Sequence, residues 1–520
     1  MQERLRFRRI VKSLAAIIAT VLTLAACGSS DAASGGDGPR DPGAILRYGV
    51  DLTPGGGPLF DPILNSKSLT PNQYSWLDLI FDRLIYQEQD GTISPGLLEE
   101  WETPDPLTLN LKLRPDLKFQ DGTPLDAAAL KFNWDRDMAT PTLTKPVDFQ
   151  RVTSIEVTDP LTVQLKYSEP AAAFTLNVTL TRAAGYGQII SPAAVEKYGD
   201  AVDASPVGAG PYKFDKLERG KVLSVRKWDG YWNPEGQNLA GVDFIQVARG
   251  PAAVSALIAG TIDISPIEQS DVDTVKNTPG LTAGSQAGSE VLYLYVNTTR
   301  APFNDHAVRE ALAYAWDREA VNNAAYAGQG ILTETHYYPE SIGYVEELDN
   351  MYGYDADKAQ DLMSKTDAEG TSITVLVQNI PRMVAAAEVI QAQMKAVGIN
   401  MELNVSPNFV EEMSQKPDAV LASTITTSMP ASFLLSKAVF SIGYNSPVYD
   451  EAVAEILGET DPEKALEAYA TAQQALQEDL PIYFFAQEPI SIGMSEKVHD
   501  VGAYRGDLEG PVIRQVYMTE

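Results

Sequence analysis

The side chains best suited to chemistry in this 520-residue chain are few and scattered. It has three histidines, His306, His336 and His499. No two are close in sequence, so the HExxH spacing that puts two imidazoles on one helical face is missing. His336, in Glu334-Thr335-His336-Tyr337, is the one histidine worth weighing as a nickel ligand. No second histidine or thiolate supports it, so no metal site is expected. Ser224 and Lys227 match SxxK, but they fall on an expected strand and have no KTG partner. There is no GxSxG nucleophile elbow. Gly208-Ala209-Gly210 runs into Pro211, not into a helix with a third glycine, so it is no dinucleotide loop. A Walker A sequence is also missing, which excludes nucleotide binding by that route. Carboxylates are plentiful, but glycosidase chemistry depends on the separation of a pair, which a sequence does not give. No catalytic residue and no cofactor are expected, and an exported hydrolase stands as the remote alternative.

One residue is placed for covalent modification. Cys27 is the single cysteine and follows Leu24-Ala25-Ala26. Before it come five basic residues (Arg4, Arg6, Arg8, Arg9, Lys12) and an apolar run from Leu14 to Ala26. A charged start, a short apolar core and a small-residue exit have the physical form of a secretory signal. The cysteine stands where the cut would fall, which resembles the lipobox of bacterial lipoproteins. A chance cysteine after an ordinary signal and an N-terminal membrane helix are the alternatives. The run is short for a span, which needs about 20 apolar residues. Residues 1–26 are therefore expected to be a signal peptide. The mature chain would begin at a lipidated Cys27 and sit outside the cytoplasmic membrane, at the cell surface or in the periplasm. Residues 27–44 are rich in Gly, Ser, Ala and Asp and read as a flexible tether.

The remainder is long enough for two or three domains of ~100–200 residues. The whole chain's net charge of −30 argues against nucleic acid, because phosphate binding needs a basic face. With one cysteine, there is no internal disulfide and no thiolate metal site. Contact with the membrane is expected only through the lipid.

The elements that must carry any site follow from periodicity. Leu107 to Leu113 and Leu161 to Tyr167 alternate apolar and polar residues, as half-buried antiparallel strands do. Ala127, Leu130, Trp134 and Met138 mark a helical stripe capped by Asp126. Val308, Ala311, Leu312, Ala315 and Trp316 mark another, capped by Asp305. Ile373, Val375 and Val377 alternate. A helix over 382–397 follows, Gly398 stops it, and Ile399, Met401, Leu403 and Val405 alternate again. Strand, helix and strand with short connections make a βαβ unit with parallel pairing.

Several segments, in order, resemble family 5, the peptide/nickel class, of bacterial extracellular solute-binding proteins, the capture subunits of ABC importers. They are Gly91-Thr92-Ile93-Ser94-Pro95 through Trp101, Phe119-Gln120-Asp121-Gly122-Thr123-Pro124, and Pro206-Val207-Gly208-Ala209-Gly210-Pro211-Tyr212 with Gly230-Tyr231-Trp232. Ala259-Gly260 with Asp263, Tyr295-Val296-Asn297 with Pro302-Phe303-Asn304-Asp305 and Arg309, Tyr354-Asp355, and Ala472-Gln473-Gln474 to Pro481 continue the series. Asp121, Gly122, Gly210, Pro211, Trp232 and Arg309 are expected to form the fold before they touch any ligand.

The resemblance implies an α/β, two-lobed, periplasmic-binding-protein-like (Venus flytrap) fold with a third, smaller domain inserted in lobe I. Lobe I would hold 45–76, 186–287 and 493–520, the insert 77–185, and lobe II 288–492. It further implies closure around a ligand, delivery to ABC permease and ATPase subunits, action as a monomer, and no catalysis. Peptide binders of the family carry an aspartate before a proline in lobe II that pairs with the α-amine. Here Thr426 stands at that position in Ser423-Thr424-Ile425-Thr426-Thr427-Ser428-Met429-Pro430. A buried ammonium without a charge partner costs several kcal/mol. Thr424 and Thr426 suit a hydroxyl- or amide-rich ligand instead. Further pocket candidates by alignment are Thr70, Asn72, Glu268, Tyr293, Tyr295, Tyr483 and Phe485. The expected ligand is an oligopeptide, dipeptide or peptide-like solute. An oligosaccharide or other neutral polar solute is the alternative, and a nickel complex a minor one.

Overall fold

The alternating stretch near residue 110 forms the strand Thr108–Leu113 and pairs antiparallel with Thr162–Tyr167. Leu109 lies opposite Leu165 and Leu111 opposite Val163, so the apolar members of both strands share one buried face. The other face is polar, with Gln164 donating to Asn110 Oδ1 at 2.7 Å. Strands Leu98–Asp105 and Val152–Asp159 flank this pair in a four-stranded sheet. Helix Ala127–Ala139 covers the dry face with Leu130 and Trp134. Asp126 caps it by accepting from the Ala129 N–H at 2.9 Å.

The computed structural model describes residues 38–520 apart from 54–57, 63–70, 89–91, 141–144, 147, 182–184, 337–343, 426–442, 460 and 504–510. The signal-peptide and Cys27 readings lie outside the described residues. No helix among the described residues is long and apolar enough to cross a membrane.

An eleven-stranded sheet runs through the rest of the molecule. Its path begins at Asn400–Ser406 and passes through Ser372–Gln378 and Ala419–Ile425 to the long strand Leu281–Val296. It continues through the second long strand Ile482–Ser495, then Ile264–Ile267, Ile45–Val50, Gly241–Gln246 and Val222–Lys227, and ends at Tyr212–Glu218. The short strand Ile331–Leu332 pairs with the second long strand off this path. The βαβ unit is present as expected. Ser372–Gln378 and Asn400–Ser406 are parallel, and helix Pro381–Ala396 connects them. Gly398 adopts φ +87° just past the helix, where a side chain would be strained.

Residues of Leu281–Val296 alternate between two cores. Leu292, Leu294 and Val296 face helices His306–Ala315, Arg318–Tyr326 and Pro381–Ala396. Val291, Tyr293 and Tyr295 face helices Pro447–Gly458 and Pro462–Asp479. This half of the sheet is therefore covered on both faces. The other half buries Tyr48, Trp76, Tyr212 and Phe244 in a separate core.

The family-like motifs sit at joints. Asp121 accepts from the Thr123 N–H and the Ser191 hydroxyl, and Gly122 takes φ +88°. A Cβ on Gly210 would stand 2.4 Å from the Leu79 carbonyl oxygen, so only glycine fits there. Trp232 donates to Asp82, and Arg309 donates to the Phe303 and Asp479 carbonyls. Each of these contacts holds backbone or neighbouring elements in place.

Candidate functional site

The two long strands pair antiparallel along most of their length, but not evenly. Register holds from Leu281 opposite Ser495 to Ala287 opposite Pro489, then resumes at Val291 opposite Gln487. Gly288, Ser289 and Glu290 thus oppose Glu488 alone. A bulge of this kind bends the strand and re-aims side chains. Pro489 adds to the break, since it has no N–H for the ladder. A Cβ on Gly288 would meet the Glu488 carbonyl oxygen at 2.6 Å, and the Gln487 amide donates to the Gly288 carbonyl. The irregularity lies between the two halves of the great sheet.

The same irregularity brings Glu290 and Glu488 together on one face. Arg382 joins them from the first turn of helix Pro381–Ala396, with Nη2 at 3.0 Å from Glu290 and 3.2 Å from Glu488. A cation is unfavourable at a helix N-terminus, where the backbone dipole is positive. Two carboxylates offset that cost. Ser423 donates to Glu290 at 2.6 Å. Burial pushes Glu488 up to about 7; Arg382 opposes the shift and Glu290 adds to it. Charges also come from the opposite half of the sheet, where Arg249 pairs with Glu268 at 3.1 Å. Farther along, Gln269 accepts from Ser285 and Ser491 and donates to Gln329 at 3.4 Å.

Arg382, Glu290, Glu488 and Ser423 stand at the carboxyl ends of Ser372–Gln378 and Ala419–Ile425. Ligands of open α/β sheets bind beyond those ends. The group can receive charge of either sign. By exchanging the partners they have here, Arg382 can pair with a ligand carboxylate and Glu290 or Glu488 with an ammonium.

The sequence-predicted residues are placed as follows. Thr70 and Thr426 lie outside the described residues. Asn72 is in helix Pro71–Ile80 and Thr424 in strand Ala419–Ile425, with side chains outside the description. Glu268 is exposed and held by Arg249. Tyr293 and Tyr295 are packed into the core beneath the sheet. Tyr483 and Phe485 are packed on the other side around Trp316, and the Tyr483 hydroxyl donates to the Arg309 carbonyl at 2.9 Å. Aromatics at alternating strand positions ordinarily pack in this way. His336 is buried edge-on to Phe484, and burial pushes it down to about 3. No group of three or more His, Cys, Asp or Glu able to hold a metal occurs among the described residues. Sequence reasoning missed Arg382, Glu290, Glu488 and Ser423. Two weak signals were present: an arginine just after a helix-starting proline, and a charged residue beside a proline inside an apolar strand.

The model of the bacterial extracellular solute-binding proteins, family 5 Middle, matches residues 92–473. The glutathione-binding protein GsiB of Escherichia coli strain K12 is 29% identical over 399 residues, covering 72% of this chain and 77% of that protein. Among solved structures, the binding protein AgaA with agropinic acid, from A. tumefaciens, superposes with a TM-score of 0.75 at 22% identity. It covers 92% of this chain and 99% of its own. The oligopeptide-binding protein AppA of Bacillus subtilis, in complex with a nonapeptide, superposes with a TM-score of 0.74 at 19% identity. It covers 93% of this chain and 100% of its own. The fold is the two-lobed α/β fold of periplasmic binding proteins. The chain belongs to family 5 of the bacterial extracellular solute-binding proteins and is the substrate-binding protein of an ABC transporter.

Proposed function

We propose that the chain captures a small peptide or peptide-like zwitterion between its lobes and delivers it to a membrane permease. One observation carries this reading: Arg382 is flanked by Glu290 and Glu488 at the bulge of the two long strands. A ligand with a free carboxylate and a free ammonium exchanges partners with this group without leaving a buried charge unpaired. On such an exchange Glu290 or Glu488 supplies the counter-charge that a threonine at 426 does not. GsiB, named for glutathione, and AppA, solved with a nonapeptide, support a peptide ligand by kinship. The remaining walls are assigned to Thr70 and Asn72, to Glu268, and to Thr424 and Thr426, with Tyr293, Tyr295, Tyr483 and Phe485 packed behind them.

Lobe I is assigned to 45–76, 186–287 and 493–520, the insert to 77–185 and lobe II to 288–492. Separate cores support the division, and that of the insert also draws in Tyr186, Ile189 and Ala209. The chain works as a monomer, tethered outside the cytoplasmic membrane by lipid on Cys27, and no catalytic step is assigned to it. A second reading, an oligosaccharide or other neutral polar solute, rests on the threonines at 424 and 426.

A thermal-shift panel tests the choice. The protein is refolded to strip endogenous ligand and challenged with di- to octapeptides, oligosaccharides, and nickel with and without histidine. A ligand at 100-fold its Kd adds about 2.7 kcal/mol. Stabilisation by peptides with free termini supports the first reading. Stabilisation by sugars alone overturns it.

A further inference from the structure

The insert touches both lobes, and the two contacts differ in kind. On the lobe I side they are a shared apolar core, which takes in Tyr186, Ile189 and Ala209, reinforced by buried hydrogen bonds. Asn133 donates to the Ile190 carbonyl and accepts from the Ile190 N–H, both at 2.9 Å. The Gln120 amide donates to the Gly210 and Tyr212 carbonyls of lobe I. On the lobe II side the described contact is apolar. Phe174, in the short helix Ala172–Phe174, is 5% exposed and belongs to the cluster of Tyr449, Ala452, Ile456 and Leu457 on helix Pro447–Gly458. Gly458 ends that helix, and a Cβ on it would stand 2.8 Å from Pro170 Cβ of the insert. The two chain segments approach so closely that any side chain at 458 would push them apart.

We infer that the seat of Phe174 and Pro170 on Tyr449, Ile456 and Gly458 is a latch that holds the two lobes closed at a distance from the ligand. The hydrogen bonds of the insert to lobe I make it move with that lobe. Opening the cleft about the bulged strands then has to pull Phe174 out of lobe II. An apolar contact with few directional bonds re-forms readily after such a separation, whereas a buried hydrogen-bonded joint does not. Phe174 and Gly458 thereby set the fraction of closed protein. They tune affinity for every ligand without touching one, since a less populated competent state weakens apparent binding in proportion.

The test needs no ligand, so its outcome is independent of which solute is captured. Spin labels are placed at Glu156→Cys on the insert and Glu402→Cys on lobe II, in a Cys27→Ser background, and pulsed dipolar distances are recorded. Wild type is expected to show a short-distance population matching the docked contact. Gly458→Val should remove most of that population by steric force, and Phe174→Ser should reduce it by loss of apolar contact. Circular dichroism melting of both variants checks that the domains stay folded. The same distribution in wild type and both variants overturns the proposal, as does a wild type that lacks the short population.

Discussion

The proposed insert, residues 77–185, has two faces toward the rest of the molecule, and they differ in how they are held. Toward residues 186–287 it shares an apolar core and adds buried polar groups. Asp82 accepts from Tyr86, Tyr231 and Trp232 and pairs with Arg514, which ties three separate stretches of chain at one carboxylate. Asp61 pairs with Arg136 nearby. Toward lobe II it offers a phenyl ring and a proline against a helix end. Buried hydrogen bonds are modest in net value but costly to leave unmade, so a joint made of them does not open. Apolar surface loses only its burial when it separates. The first joint is therefore permanent and the second separable, which is what a receptor that must admit and release a solute needs.

The largest effect is expected where the permanent joint is cut. Asp82→Ala leaves a buried guanidinium and several buried donors without their acceptor, and should cost about 3–5 kcal/mol in urea unfolding. A loss below about 1 kcal/mol would break the contrast, because the network would then be dispensable.

The group at the bulge of the two long strands should respond to pH. Glu488 sits near 7 in the folded protein and near its ordinary value when unfolded. The native state therefore binds the extra proton. Its contribution is full below the ordinary glutamate range and is lost as pH rises toward 7, at up to about 1.4 kcal/mol per pH unit. Glu488→Gln should flatten that part of the stability curve. An unchanged slope would show that Arg382 already holds Glu488 ionised.

A smaller effect tests the tight approach on the permanent side. Gly210→Ala drives a methyl into the Leu79 carbonyl and should cost about 1–3 kcal/mol. The smallest effect on stability is expected from Phe174→Ala. In a sealed core such a change costs about 3–5 kcal/mol. At a separable contact the melting midpoint of the isolated protein should move much less, because the open form never uses the ring. A full core-sized loss would make the two faces equivalent.

How much of this was legible in the sequence depends on how local each feature is. The caps at Asp126 and Asp305 and the stop at Gly398 need only neighbouring residues, and all three are present. The βαβ unit over residues 372–406 was readable because one stretch of chain contains both of its strands. The motif glycines and Trp232 were readable as fold-forming for the same reason: their constraint is backbone geometry. The group at the bulge was not. Glu290 and Glu488 meet only because a bulge places residues almost two hundred positions apart on one face, and Arg382 arrives from a third element. The four aromatics proposed for the cleft carried the alternation of core positions, and they are packed in cores. Phe174 gave no signal at all, since its partner helix lies far along the chain.

Isothermal titration of glutathione and a tripeptide, each with free and with blocked termini, against wild type and Arg382→Ala tests the central claim most directly. Ligands with free termini should bind wild type, blocking either end should weaken binding at least about tenfold, and Arg382→Ala should erase the penalty for blocking the carboxylate. Equal affinity for free and blocked peptides, or an Arg382→Ala variant that still discriminates between them, would contradict recognition of a zwitterion at the bulge.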